Sequence, residues 1–321
     1  MICSLRHLSR EMLGLNRRNH DLITRYNLRA LFQIVDHKVK TKAALAALNL
    51  PVAETLAVYR MYREIVDFAW QSRGWPEFVI KPAQGAGGEG ILSIVEQQTD
   101  KFITTDERRL SLRDIERHIT DILSGVYSLN QRYDEALVEA RIKPHPSLAR
   151  VSFRGLPDLR VIVFRGIPLM AMLRVATRAS RGRANLHAGG IGIGVDLQTG
   201  TTTYALAGES WVTEQPDTGR PLCGVRLPSW KELLTVATRC ADAVALGYLG
   251  VDLTLDESGK PLVLELNARP GLSIQLANRR GLRPLIEEVE RREPSNLTVH
   301  ERVRLGQSLV EKRREDHFRC C

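Results

Sequence analysis

Asp252, Glu265 and Asn267 are the residues of this chain whose types and spacing point most directly to chemistry. Gly250-Val251-Asp252-Leu253-Thr254-Leu255 alternates apolar with small or polar residues, the period of a half-buried strand, and Pro261-Leu262-Val263-Leu264-Glu265-Leu266-Asn267 does the same. Asp256-Glu257-Ser258-Gly259-Lys260 between them is turn chemistry, so the pair reads as a hairpin. With the loop at residues 257–260, Asp252 stands opposite Glu265, and Asn267 shares their face one pleat along. Like charges facing each other across a strand pair destabilise it. Two carboxylates and an amide oxygen on one face instead suit Mg²⁺, a hard cation that takes oxygen ligands and keeps positions for water or phosphate. An exposed hairpin with ordinary solvated acids is the alternative, and the flanking Val and Leu side chains argue against exposure.

Gly85-Ala86-Gly87-Gly88-Glu89-Gly90 matches G-x-G-x-x-G, but a dinucleotide site needs a helix to begin at such a loop. Here the loop runs into Ile91-Leu92-Ser93-Ile94-Val95, an apolar strand. Strand, glycine loop, strand is a flap whose backbone N–H groups can lie over phosphates, as in protein kinases. The kinase lysine follows its loop, whereas Lys81 precedes this one in Phe78-Val79-Ile80-Lys81-Pro82, and no His-Arg-Asp or Asp-Phe-Gly motif follows. A flexible hairpin explains the glycines but not a lysine ending a buried strand. Leu137-Val138-Glu139-Ala140-Arg141-Ile142 could be an adenine-facing hinge, with Glu139 accepting exocyclic amino protons and the nearby backbone reading the ring edge; alone, it is equally an amphipathic strand. Arg183-Ala184-Asn185-Leu186-His187-Ala188-Gly189-Gly190 joins a guanidinium, an amide and two glycines, a fork donor suited to phosphoryl oxygens or simply a basic loop. His187 and His145 have no accompanying His/Cys cluster and read as loop residues.

The elements that must position these groups mix strands and helices without a strict βαβ rhythm, which predicts α+β layers. Residues 1–40 have weak helical periodicity and read as two short helices. Thr41 caps a helix over 42–48, Pro51 interrupts, and a helix resumes over 59–70. Strands are expected at 78–81, 90–95, 136–142, 159–164, 169–175, 189–195 and 201–205, and a helix capped by Ser111 at 112–123. Ser229 and Glu232 form a capping box for a helix that Gly247 stops, and Thr298 with Glu301 caps a second one over 299–315, after a helix at 284–293.

The 321 residues, 43% hydrophobic and 26% charged, describe a soluble globular chain with ample core. Its net charge of +9 suits an anionic ligand such as a nucleotide. Nucleic acid is not expected, because the basic residues are spread along the chain without an interleaved aromatic surface. No apolar run reaches the ~20 residues of a bilayer span, and the start, with Arg6, His7, Arg10 and Glu11, has no signal-peptide core. Cys3, Cys223, Cys240, Cys320 and Cys321 show no Cys-x-x-Cys spacing, which points to a reducing compartment and a cytoplasmic location.

Taken in order, these motifs resemble the ATP-grasp carboxylate–amine ligases and, within them, the RimK-like ligases and the shorter proteins described as alpha-L-glutamate ligase homologues. The resemblance runs from about Asp36 to Leu276. It places Lys42, in Asp36-His37-Lys38-Val39-Lys40-Thr41-Lys42, against the nucleotide, Lys81 and Gly85, Gly87, Gly88 and Gly90 at the phosphates, and Glu139, Ala140, Arg141 and Ile142 at the hinge. Asp158, in Asp158-Leu159-Arg160, belongs to the nucleotide site, and Arg183 and Asn185 match an Arg-Ser-Asn-Leu-His-Arg-Gly-Gly motif. The metal ligands fall on Asp252, Glu265 and Asn267 of Glu265-Leu266-Asn267-Ala268-Arg269-Pro270-Gly271-Leu272, where Arg269 replaces a small residue.

The resemblance implies an ATP-grasp fold of two α+β subdomains clasping ATP. They would be a first subdomain at 41–135 with the flap and a helical insertion, and a second at 136–283 with the metal site. Charged helices would close the chain at 284–321, and a helical segment at 1–40 would stand in place of the usual pre-ATP-grasp domain. It implies ATP with Mg²⁺ (Mn²⁺ as an alternative, and a pair of ions expected) and amide formation through an acylphosphate. Lys81, Arg174 and Arg183 would then be the catalytic residues. Partners would be amino-acid, peptide or other small carboxylates and amines. The resemblance also admits a membrane-associated partner protein and a homo-oligomer. A nucleotide-binding scaffold without turnover and a kinase-like phosphotransferase are the rival readings.

Overall fold

The computed structural model describes residues 10–85, 87–98, 101–128, 131–292, 294 and 296–319. Cys3, Cys320 and Cys321 lie outside the described residues. Helix α1 (Lys38–Ala47) leads into a first sheet of β1 (Thr55–Tyr59), β2 (Phe78–Pro82), β3 (Leu92–Gln98), β4 (Lys101–Thr104), β5 (Arg109–Ser111) and β6 (Ala136–Ala140). Its spatial order is β1-β6-β2-β3-β4-β5. Helix α2 (Leu112–Leu123) covers one face. Its Ile115, Ile119 and Ile122, at helical spacing, pack in one cluster with Phe78, Ile80 and Ile94. Ser111 caps α2 reciprocally: the Asp114 N–H donates to the Ser111 hydroxyl at 3.2 Å, and the Ser111 N–H donates to the Asp114 carboxylate at 2.8 Å. The alternation along β2 then turns Val79 and Lys81 to the opposite, half-buried face.

A second sheet contains β7 (Asp158–Phe164), β8 (Ile167–Val175), β9 (Ile191–Val195), β10 (Thr202–Ala207), β11 (Ser210–Val212), β12 (Tyr248–Leu255) and β13 (Pro261–Asn267), in the order β11-β10-β9-β8-β7-β12-β13. Helix α3 (Trp230–Val244) packs Leu233, Leu234 and Ala237 with Val161, Val163, Val251 and Leu253 on one face. The other face is covered by α4 (Ser273–Ala277), α5 (Arg283–Arg292) and the irregular helical turns of residues 13–26, around Ile162, Phe164 and Tyr248. Helix α6 (Val299–Arg319) closes the chain, with the expected Thr298–Glu301 box at its start. All named strand pairs are antiparallel, which is the α+β arrangement. No helix among the described residues is long and apolar enough to cross a membrane.

Several expectations are corrected. Strand β12 is buried along all eight residues rather than half-buried, because α3 covers one face and the N-terminal turns with α4 and α5 cover the other. Thr41 does not cap a helix: α1 starts at Lys38, and the Thr41 hydroxyl donates back to the Ile34 carbonyl of the preceding helical turn at 2.7 Å. The helix expected over 59–70 is a run of short helical turns over 62–74, and the extended link before it ends in strand β1 at Tyr59. Ser229 is no cap either. It sits at φ +51, and its hydroxyl donates to the Gly259 carbonyl at 2.7 Å. Helix α3 ends on left-handed Ala245, not on Gly247. Gly247 serves a close crossing, since a Cβ there would come 2.7 Å from the Cβ of Tyr26. The segment between flap and hinge holds strands β4 and β5 besides its helix, and β11 adds a further edge strand.

Candidate active site

The register of the second sheet lines up the charged groups. Asp252 pairs with Glu265 on one side and with Arg160 on the other, and Asp158 pairs with Arg174 one row along. Directly opposed residues project from the same face, so these side chains meet. The Arg160 Nε donates to one Asp252 oxygen at 2.7 Å, and an Arg160 terminal nitrogen donates to the other at 2.5 Å. Arg174 donates to Asp252 at 2.8 Å and to Asp158 at 2.5 Å. Burial alone would push the Asp252 carboxyl up, but the two guanidinium groups hold it well below the usual carboxylate range. Burial pushes Asp158 up despite Arg174, with the Asp252 charge adding to the effect.

Glu265 differs from its neighbour. Its side chain is 38% exposed, and the Arg160 guanidinium comes no nearer than 3.9 Å. The Asn267 amide bridges the two acids, 3.0 Å from Asp252 and 3.2 Å from Glu265. A hard cation therefore fits the donor chemistry of Glu265 and Asn267, whose amide presents oxygen after half a turn. Asp252 can join only if a guanidinium gives up one of its oxygens. Among the described residues no trio of His, Cys, Asp and Glu side chains stands ready for a metal, which agrees with that saturation.

In the first sheet, Val79 pairs with Glu139 and Lys81 with Leu137, so Lys81 and Glu139 are diagonal neighbours on the cleft face. Glu139 lies between two lysines: Lys81 salt-bridges one carboxylate oxygen, and Lys42 from α1 donates to the other at 2.5 Å. Burial works to raise the Glu139 carboxyl, and the charges of Lys81 and Lys42 outweigh it and lower it. The carboxylate thus faces the lysines, and the Ala140 and Arg141 N–H groups already donate to the Glu54 and Glu77 carbonyls at 3.0 and 3.2 Å. Ala140, Arg141 and Ile142 line an open groove of about 530 Å³ together with Val52, Ala53 and Leu262. The Ala53 carbonyl also accepts from Lys42 at 2.6 Å, which links the groove to the lysine cluster.

Lys38 is the group the sequence reading passed over. Its ammonium donates to the Gly85 carbonyl at 2.6 Å, and its N–H donates to the Ala83 carbonyl at 2.8 Å, so α1 begins against the root of the flap. Burial draws its pKa down, opposed chiefly by the charge of Glu265, so Lys38 stands between the two clusters. The Asp36-His37-Lys38 start of the Lys42 segment was the available signal.

The flap rests on the Arg183 loop. The Asn185 amide donates to the Gly87 carbonyl at 3.3 Å, and a Cβ on Gly88 would meet the Arg183 side chain at 3.3 Å. Gly90, at φ +70, lies against Tyr127, and its carbonyl is 3.0 Å from the His118 ring. The segment after the flap therefore backs it. The structure brings Lys42, Lys81 and Glu139 into one cluster and Asp158, Arg174, Asp252, Glu265 and Asn267 into a second. Arg183 and Asn185 meet Gly87 and Gly88 in a third, and Gly85 touches Lys38. Arg269 leaves the site, pairing with Asp36 at 2.8 Å and stacking on Phe32 at 4.9 Å.

A family model described as sugar-transfer associated ATP-grasp matches residues 17–291. No curated protein matches. Among solved structures, the ATP-grasp ligase PsnB complexed with minimal precursor is 16% identical, with a TM-score of 0.43; the match covers 83% of this chain and 63% of PsnB. The chain thus spans less than two thirds of that structure's length. D-cycloserine synthetase DcsG is 16% identical over 88% of this chain and 72% of that one, with a TM-score of 0.44. D-alanyl-alanine synthetase A from Vibrio cholerae O1 biovar eltor is 13% identical over 88% and 66%, with a TM-score of 0.48.

Proposed function

Because this chain belongs to the sugar-transfer associated ATP-grasp family, we propose that it is an ATP-dependent ligase joining a carboxylate to an amine. The observation that carries the reading is the contact of the glycine flap with the Arg183 loop, with Lys38 bonded to the flap root and Lys81 beside Lys42 on Glu139. A substrate carboxylate attacks the γ-phosphorus of ATP, the bond to the bridging oxygen breaks, and ADP leaves. An amine then attacks the acylphosphate carbon, phosphate departs, and the amine proton passes to solvent. Phosphoryl transfer needs alignment and charge neutralisation more than covalent help.

Each step asks something definite of the chain. Lys81 and Lys42 supply positive charge on the first-sheet side, and Lys38 holds the flap root. Glu265 and Asn267 would hold Mg²⁺, which supplies charge neutralisation at the β- and γ-phosphates when bound. Arg183 presents planar donors to the acylphosphate from the loop under the flap. The flap, backed by His118 and Tyr127, keeps water from an intermediate it would hydrolyse. The RimK-like likeness of the motifs makes glutamate and short glutamyl peptides the first acids to try. Because the family is described as sugar-transfer associated, amino sugars are included among the amines to try. Mass detection of products from ATP, Mg²⁺ and such a panel tests the reading: it expects amide product, and ADP beyond one equivalent of enzyme, only when acid and amine are both present. ADP formed equally without them, or a stable phosphorylated acid as end product, would contradict it.

A further inference from the structure

Arg279 lies against two aromatic rings at the far edge of the second sheet. Its guanidinium carbon lies 4.2 Å from the ring centroid of Tyr204 and 4.1 Å from that of Trp211. The two rings nevertheless remain 45% and 46% exposed. Arg279 follows α4 at φ +48, a backbone conformation that costs a non-glycine residue energy, so the chain delivers this side chain at some expense. The rings stand at 75° to each other with centroids 6.4 Å apart, so the guanidinium lies in the corner they form. Among the described residues no carboxylate forms an ion pair or hydrogen bond with it.

The position of this cluster follows from the strand register. Arg174 pairs with Gly192, Gly192 with Leu206, and Leu206 with Trp211. One row thus runs from the reaction centre to the platform, and all its side chains leave the same face. At about 4.8 Å per strand, three steps put Trp211 roughly 14 Å from Arg174. Gly192 keeps the path between them low: a Cβ there would come within 3.0 Å of Leu186, beside Arg183 in sequence terms. Gly194 lets α4 lie directly on β9, since a Cβ would come 2.4 Å from the Ala277 carbonyl, and that close approach carries Arg279 to the rings.

We propose that Tyr204, Trp211 and Arg279 form a saccharide subsite for an anionic oligosaccharide. The apolar C–H face of a sugar ring would lie on the exposed aromatic surface, and its carboxylate would accept from the N–H groups of Arg279. The spacing exceeds one sugar ring, so the bound unit is remote from the bond being formed. The assignment of that sugar as part of a substrate rests on the ligase reading; its binding does not.

Calorimetry on the full chain without ATP tests the site, with trigalacturonate as probe and maltotriose as its neutral counterpart. The parent is expected to bind trigalacturonate at least about ten-fold more tightly than maltotriose, and Trp211→Ala and Arg279→Gln each to lose about ten-fold or more. Arg279→Lys should recover only part of the loss, since an ammonium does not stack as a plane. Trp70→Ala, at an exposed tryptophan of the other sheet's surface turns, should change nothing. Thermal midpoints matching the parent's establish that the variants are folded. No binding of trigalacturonate by the parent, equal binding of both sugars, or folded Trp211→Ala and Arg279→Gln variants that bind like the parent would each overturn the proposal. Failure of the ligase reading would show instead as absent amide product with sugar binding intact.

Discussion

Glu139→Gln isolates the electrostatics of the lysine cluster. The Lys42 and Lys81 side chains are 14% and 12% exposed, and Glu139 is the carboxylate that both contact. Removing one partner of a buried charge pair costs about 3–5 kcal/mol. The low end applies here, because burial already draws the Lys42 ammonium toward its neutral form, and shedding a proton limits the penalty. A loss of about 3 kcal/mol corresponds to a fall in thermal midpoint of roughly 5 °C or more. The Glu139 carboxyl is lowered in the folded chain, so its contribution is complete above the unfolded carboxylate pKa and fades as pH falls through the folded value. The gap between parent and variant should therefore be full at pH 7 and narrow on acidification below about 4. ATP supplies the missing anion, so ATP with Mg²⁺ should raise the variant's midpoint by more than the parent's. Differential scanning fluorimetry at several pH values reads all of this. A variant melting within about a degree of the parent at pH 7, with an equal response to ATP, would refute the reasoning.

Glu265→Gln keeps size and removes charge. It should abolish turnover while nucleotide binding persists with a weaker Mg²⁺ dependence, as measured by calorimetry with and without Mg²⁺. Lys81→Ala should weaken ATP binding and slow phosphoryl transfer, and calorimetry showing parent-like affinity would move the phosphate site elsewhere. Gly90→Ala places a Cβ 2.6 Å from the Tyr127 ring at a backbone φ of +70. It should lower kcat through the displaced flap and leave the global melt within a few degrees; parent-like kinetics would detach the flap from catalysis.

That Asp252 faces Glu265 was legible, but the turn alone does not fix it. Next to the turn Leu255 pairs with Pro261 and Leu253 with Val263, a register that would set Asp252 opposite Leu264. An irregularity between Asp252 and Leu253 shifts the pairing by one residue. The flap was legible because an apolar strand, rather than a helix, follows its glycines. What covers Asp252 was not legible: Arg160 and Arg174 reach it only because β7 lies between β12 and β8, and strand order is a long-range property. The same holds for β12, whose alternation suggests one solvated face until elements from both ends of the chain close over it. Lys38 lies in the first turn of a helix that the sequence starts one turn late, at Thr41, where a hydroxyl resembles a cap but bonds back to Ile34 of the turn before the helix. Strand β1 lies in the extended link after Pro51, where its five-residue Thr-Leu-Ala-Val-Tyr run was too short to read as a strand from the sequence.

The central claim is an activated acyl group held by Arg183, and hydroxylamine trapping tests it most directly. Hydroxylamine attacks an acylphosphate and leaves a free carboxylate alone. With ATP, Mg²⁺ and an accepted acid but no amine, the parent should yield a hydroxamate. Arg183→Ala should form it on the order of a hundred-fold more slowly, as when one oxyanion donor is lost. Arg183→Lys should restore the rate only in part. Amide product from an accepted pair, with no hydroxamate formed and Arg183→Ala unimpaired, would contradict both the acylphosphate and the role of Arg183.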